Sequence, residues 1–311
     1  MAEPFVIERR PDDQAEVVMV AGWRQWADAG AVSSGLPLYL IQQTSAEHIA
    51  TLNPDGYYLF QFPGTHDLVR PIVQFERGFP ISLQAHTNEA YMAPDGRLLI
   101  FLGEEPHMDV ERYVQNFLDL AKSLGVKRII GMGGVYGETP FDRERNISAM
   151  YSLPQMRAEV ERYGVSLSDY QGGASIESYI CRRAGERGME FVAFYAFVPA
   201  YDFTELVQTS SAVRIENDFA SWLGVMRRIR HMFKLDLDLG DLEQMSKNLI
   251  DLMNNKLDEI EEAAPGLGVR DYLANLSAGF QETTFDPLDE VWEQEVRRLF
   301  NKFDSGETSE N

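Results

Sequence analysis

The chain has 311 residues, 44% of them hydrophobic and 25% charged, with a formal net charge of −21. That is the composition of an ordinary globular protein long enough for one or two domains. The negative surface it implies repels phosphate backbones and anionic lipid, so nucleic acid and membranes are set aside as partners. No stretch reaches the ~18 apolar residues of a membrane-spanning helix. The single cysteine, Cys181, forbids an internal disulfide and suits a reducing compartment. Its place in a helical pattern reads as a buried thiol rather than a nucleophile. The N-terminal Met-Ala-Glu-Pro-Phe has no basic region and no apolar run, so a cytoplasmic protein is expected.

In chain order, Glu16–Gly22 is a nearly all-apolar strand. Asp28 is placed to cap a helix over Ala29–Gln43, in which Pro37 either kinks the helix or marks its first turn. Asn53-Pro54-Asp55-Gly56 is a turn before a strand at Tyr57–Phe62. Residues 63–94 carry prolines at 63, 71, 80 and 94, and their short apolar runs Ile72–Phe75 and Ile81–Gln84 suit antiparallel edge strands. Arg97–Gly103 is a buried strand. Asp109 can cap an amphipathic helix, Val110–Leu124, stopped by Gly125.

The stretch Val126–Arg143 begins as a buried strand and opens into glycines at 131, 133 and 134. That places a loop at the carboxyl end of a central strand, either as a pocket for a small anion or as a close helix–sheet crossing. A helix from Ser152 to Tyr163, a short strand Val165–Leu167, a helix Ala174–Arg187 and an aromatic strand Met189–Val198 follow. The alternation argues for an α/β fold with a mixed, mostly parallel central sheet. Further helices at Ser211–Phe233, Asp241–Ala263 and Asp289–Phe303 form a C-terminal helical extension, interrupted by a hinge-like Asp236–Leu239 and by Pro265–Gly268. The expected organisation is a core of 1–210, an extension of 211–303 packed on it, and a disordered tail of 304–311.

Glu104, Glu105, His107 and Asp109 lack metal-ligand spacing, and acids before a helix are favoured by its dipole alone. No metal and no cofactor is expected. Gly172-Gly173-Ala174-Ser175 at a helix start could seat an anion on free backbone N–H groups, or serve close packing. No serine lies in a nucleophile elbow. Trp23, Trp26, Tyr57 and Phe62 could line a groove or belong to the core.

Five short motifs together resemble the proteasome assembly chaperone 2 family. They are Gly22-Trp23 with Asp28-Ala29-Gly30; Gly103-Glu104-Glu105-Pro106-His107; the Val126 strand with Thr139-Pro140 and Arg143; Gly172-Gly173 with its helix and a strand ending Val198-Pro199-Ala200-Tyr201; and the Trp222 helix running to Leu235-Asp236-Leu237-Asp238. The resemblance spans about residues 16–260. It implies a three-layer α/β/α fold, akin in outline to nucleoside phosphorylases, and a tendency to self-associate. Some archaeal and eukaryotic members assist proteasome assembly, and those that dock do so by a C-terminal hydrophobic-Tyr-x tail. This sequence ends Thr308-Ser309-Glu310-Asn311, so docking by such a tail is not expected.

The expected function is a non-enzymatic, oligomeric assembly or interaction protein. A trimer is preferred to a dimer, and a further protein partner is left open. The alternative is an enzyme or binding protein for a small nucleoside-like or phosphorylated ligand. That alternative requires Glu105, His107 and Arg143 to converge on one pocket with Gly133 and Gly173; Trp23, Asp28, Gly134, Gly172 and Ser175 complete the candidate set. A third reading makes the acidic helices after residue 241 an adaptor for a basic partner.

Overall fold

The central strands are apolar along most of their length because both of their faces are covered. In the computed structural model, which describes residues 3–12, 15–61, 70–202, 212–263, 268–283 and 285, the strands are β1 (Phe5–Ile7), β2 (Val17–Arg24), β3 (Glu47–Leu52), β4 (Ile72–Glu76), β5 (Phe79–Gln84), β6 (Glu89–Met92), β7 (Leu98–Glu104), β8 (Val126–Gly137), β9 (Ile147–Tyr151), β10 (Ser166–Leu167), β11 (Glu190–Asp202) and β12 (Ala212–Arg214). The helices are α1 (Gly35–Thr44), α2 (Val110–Ser123), a short α3 (Arg157–Val160) between two 3₁₀ turns, α4 (Ile176–Glu186), α5 (Phe219–Phe233), α6 (Gly240–Ala263) and α7 (Val269–Gly279).

Ten strands form one sheet in the order β1-β3-β6-β7-β2-β8-β11-β9-β10, with β12 branching from β11. The central run β7-β2-β8-β11 is parallel. Antiparallel pairs flank it on both sides. Side chains alternate between the two faces with period two. On β2, Val18 and Val20 belong to the core that α1, α5, α6 and α7 complete on one face. Val17, Met19 and Trp23 meet α2 and α4 on the other. The strands of β7, β8 and β11 divide the same way, which gives the three-layer α/β/α arrangement.

Several local expectations need correction. Val126–Gly137 is one continuous strand, so its glycines lie within the sheet and not in a loop. Residues 57–61 form no strand, because their backbone is bonded elsewhere. The Tyr57 carbonyl accepts from the amides of His107 and Met108, at 2.9 and 3.0 Å, and the Leu59 amide donates to His107 Nδ1; Phe62 lies outside the described residues. The two strands of the proline-rich region do not edge the sheet. Among the described residues β4 and β5 pair only with each other, across a two-residue turn at Arg77 and Gly78, both left-handed (φ 49° and 88°).

Asp109 makes no side-chain cap on α2 and pairs with Arg112 at 2.6 Å instead. Pro37 falls in the first turn of α1, which begins only at Gly35. The helix expected from Ser211 begins at Phe219: residues 212–214 pair with β11 as β12, and Ser211 is outside the described residues. The 235–239 connection is pinned at both ends by buried Leu235 and Leu239. β9 and α7 were not anticipated. Of the breaker Pro265–Gly268, Gly268 precedes α7 with a left-handed backbone (φ 60°), and the rest, the last helix at Asp289–Phe303 and the tail lie outside the described residues.

Candidate functional site

A cleft of about 890 Å³ opens where β2, β8 and β11 run out. It is framed by residues 25–29, the end of β8, β9, the segment 166–170 and the start of α4. The loop after β2 is tightly wound: Gln25, Ala27 and Ala31 all have positive φ (92°, 52° and 49°) although none is glycine. Such backbone costs of order 1 kcal/mol or more per residue and persists only where neighbours impose it. Here Asp28 Oδ1 accepts from the amides of Ser33 and Ser34, both at 2.9 Å. The Gly134 amide donates to the Ala27 carbonyl at 2.7 Å. A Cβ on Gly134 would collide with the Ala29 carbonyl oxygen, so the loop can lie on β8 only because that residue is glycine.

Gly133 serves the opposite face. A Cβ there would stand 2.6 Å from two ring carbons of Tyr195. The ring therefore lies against bare backbone and carries its hydroxyl into a buried polar cluster. Tyr195 OH donates to Glu177 Oε2 at 2.8 Å and meets Ser175 Oγ at 2.8 Å. Ser33 Oγ reaches Glu177 Oε1 at 3.3 Å while accepting the Trp23 amide at 2.8 Å. Glu177 is only 1% exposed. Burial first, and then the nearby Glu105, push its carboxyl up to about 8 against the lowering effect of the Tyr195 bond, so it holds its proton at neutral pH. Ser175 caps α4, its Oγ accepting from the Ser178 amide.

Four of the ten expected site residues line this cleft: Asp28, Gly134, Gly173 and Ser175. The others lie elsewhere. Trp23 is core: its indole donates to Tyr113 OH at 2.8 Å and packs against Phe101 and Phe117. Glu105 stands behind the wall, where Oε1 accepts the Ile176 amide at 3.1 Å and Oε2 is buried with no partner. Burial raises its carboxyl to about 7. His107 accepts from the Leu59 amide on Nδ1, which leaves the Nε2 proton to hold Gln25 Oε1 at 3.0 Å. Burial, then His86, lowers its pKa, in keeping with that neutral tautomer. His107 thus fastens a cleft residue without facing the cleft.

Gly172 is exposed beside Tyr170. Arg143 lies in a separate hollow with Glu282, 3.8 Å away. The required convergence of Glu105, His107 and Arg143 therefore does not occur. The described lining includes Asp28 and Asp169 and no Lys, Arg or His; it offers a phosphate group no cationic partner. Of the four aromatics considered for a groove, Trp26 lines the cleft, Trp23 and Tyr57 are buried, and Phe62 is outside the described residues. Sequence reasoning missed Glu177 and Tyr195. A Ser-x-Glu at a helix start and a Tyr in an apolar strand carry no local signal; their meeting depends on β11 and α4 lying side by side.

A model of the PAC2 family matches residues 23–255. No curated protein matches the chain significantly. Among solved structures, a protein of unknown function from Corynebacterium glutamicum superposes with TM-score 0.68 at 17% identity, over 95% of this chain and 99% of that one. The Mycobacterium tuberculosis proteasome-assembly chaperone homologue Rv2125 gives 0.66 at 20% identity, over 77% and 94%. Pyrococcus furiosus PbaB, an archaeal proteasome activator, gives 0.58 at 17% identity, over 81% and 97%. At these identities the structures establish the shared fold. The family match covers most of the sequence, and it includes the cleft loop, β8 and the Trp222 helix: this chain belongs to the PAC2 family.

Proposed function

We propose that the protein is a non-enzymatic, chaperone-like assembly or interaction protein that works as a cytoplasmic homo-oligomer, a trimer in preference to a dimer. The observation that carries this reading is the β4–β5 hairpin. Phe75, Phe79 and Leu83 are 62%, 70% and 68% exposed, and Ile72, Val73 and Ile81 are exposed beside them. A two-stranded ribbon is marginal alone, and a contiguous apolar surface of this kind is characteristic of a protein interface. A second copy of the chain is the occupant we assign to it. The relatives described as a proteasome-assembly chaperone homologue and a proteasome activator support a role in which protein surfaces, not reacting groups, do the work. Light scattering after size exclusion at tens of micromolar should give a multiple of the 35.3 kDa chain, and Phe79→Ser with Leu83→Ser should shift it toward monomer. A strict monomer for the unaltered chain overturns the proposal.

A second reading, that the cleft takes a small molecule, is favoured by its size, which falls in the ordinary range for ligand sites. A thermal-shift panel of nucleosides, aromatic amines and aromatic alcohols tests it, because any ligand of the folded state raises the melting temperature by mass action.

A further inference from the structure

The lining of the cleft says which chemistry it would hold. Its walls carry a set of aromatic side chains: Trp26, Tyr136 and Tyr170 are 60%, 47% and 73% exposed, and Tyr195 and Phe197 also line it. The charged groups among them are carboxylates, Asp28 and Asp169. The start of α4 would ordinarily attract an anion, but two of its amides are already answered. Ile176 N donates to Glu105, and Ser178 N to Ser175 Oγ. Among the described residues, two guanidinium groups border it. Arg24 is bound to Glu104 at 3.2 Å, and Arg214 stands 5.5 Å over the Tyr136 ring.

We propose, building on the small-molecule reading, that the cleft binds an organic cation with an aromatic body, its ammonium seated at Asp28 and its ring among Trp26, Tyr136 and Tyr170. Asp28 lines the cleft and is fixed in place by the two amides on Oδ1. Burial raises the pKa of this carboxyl, the bonds from Ser34 and Ser33 and the charge of Arg24 offsetting part of the effect; an ammonium at the carboxyl adds further compensation for a partly desolvated carboxylate. Aromatic faces add an attraction for cations that neutral ligands of the same shape do not receive.

The test is isothermal titration of the full chain with three probes of matched shape: 2-phenylethylamine, 2-phenylethanol and phenyl phosphate. The amine should bind about tenfold more tightly than the alcohol, with no measurable binding of the phosphate. Asp28→Asn keeps an oxygen for the two amides, and should cost the amine about tenfold while leaving the alcohol unchanged. The exposed changes Trp26→Ala and Asp169→Asn should weaken the amine without altering the melting temperature, and they decide the matter if Asp28→Asn fails to fold. Equal binding of amine and alcohol, or preference for the phosphate, overturns the cation assignment while the cleft remains a ligand site. No binding of any probe overturns both.

Discussion

Asp218 and Arg145 form an ion pair in which both side chains are 0% exposed. Arg145 Nε donates to Oδ2 at 2.8 Å and Nη2 to Oδ1 at 3.1 Å. Ser221 Oγ adds a third bond to Oδ2 at 2.6 Å, and the Asp218 amide donates to the Gly30 carbonyl. The pair therefore ties α5 to both the 140–145 turn and the cleft loop. Asp218→Ala leaves a buried guanidinium with two donors unanswered, since only Nη1 keeps its carbonyl partners at Pro140, Phe141 and Arg143. Breaking a buried pair from one side costs about 3–5 kcal/mol. Arg145→Met loses the pair and also those three carbonyl bonds, at about 1 kcal/mol each. The double variant removes both charges together, so its cost should fall short of the sum of the singles by about 1.5 kcal/mol or more. Urea unfolding of the four proteins measures this. Additive losses, or an Asp218→Ala cost below about 1 kcal/mol, would refute the claim that the pair is a clamp.

Glu177 rises from the ordinary 4.5 to about 8 in the fold, so the native state holds a proton that the unfolded state gives up. Its contribution is complete below pH 4.5 and is lost as pH rises through about 8. Glu177→Gln, which cannot ionise, should flatten the pH dependence of urea unfolding and be the more stable protein at pH 9; an unchanged slope rejects the assignment. Gly133→Ala should lower stability by about 1–3 kcal/mol through overpacking against Tyr195. Gly134→Ala should cost at least as much, because its obstacle is backbone. Gly173→Ala, with nothing within 4 Å of the added carbon, should be close to neutral in a thermal melt. Cys181, buried with its thiol pushed up to about 12, should resist a disulfide reagent in the native state and react fully in denaturant.

Continuous apolar runs were the readable part of this fold. Val17–Ala21, Leu98–Leu102 and Phe191–Val198 announced strands covered on both faces, and the heptad-like spacing of Tyr113, Val114, Phe117 and Leu120 announced α2. Failures came where backbone partners lie far off in sequence. Tyr57–Gln61 has strand composition, yet its backbone bonds go to His107 and Met108, some fifty residues on. Ile72–Gln84 has the composition of sheet edges, but a two-residue turn folds it back so that it pairs with itself. β9 lies between β11 and β10, antiparallel to the first and parallel to the second, and the polar residues 142–146 before it disguise its start.

The glycines show why the site was only half legible. Read in sequence, 131, 133 and 134 look like a ligand loop; in the sheet they are spaces kept for other groups. Gly133 admits the Tyr195 ring and Gly134 admits the loop at Ala27–Ala29. That is a packing role, yet it builds the cleft: one glycine brings the Asp28 loop down onto β8, and its neighbour sets the tyrosine whose hydroxyl meets Ser175 and Glu177. Residue types that could grip an anion were expected to gather here, and Arg143 instead faces Glu282 in a different hollow. What gathers is aromatic, hydroxylic and acidic. The sequence located the edge of the sheet that carries a cavity, through glycine spacing and capping residues. It could not state the cavity's charge, because that depends on Asp169, Tyr170 and Trp26 arriving from segments some 140 residues apart.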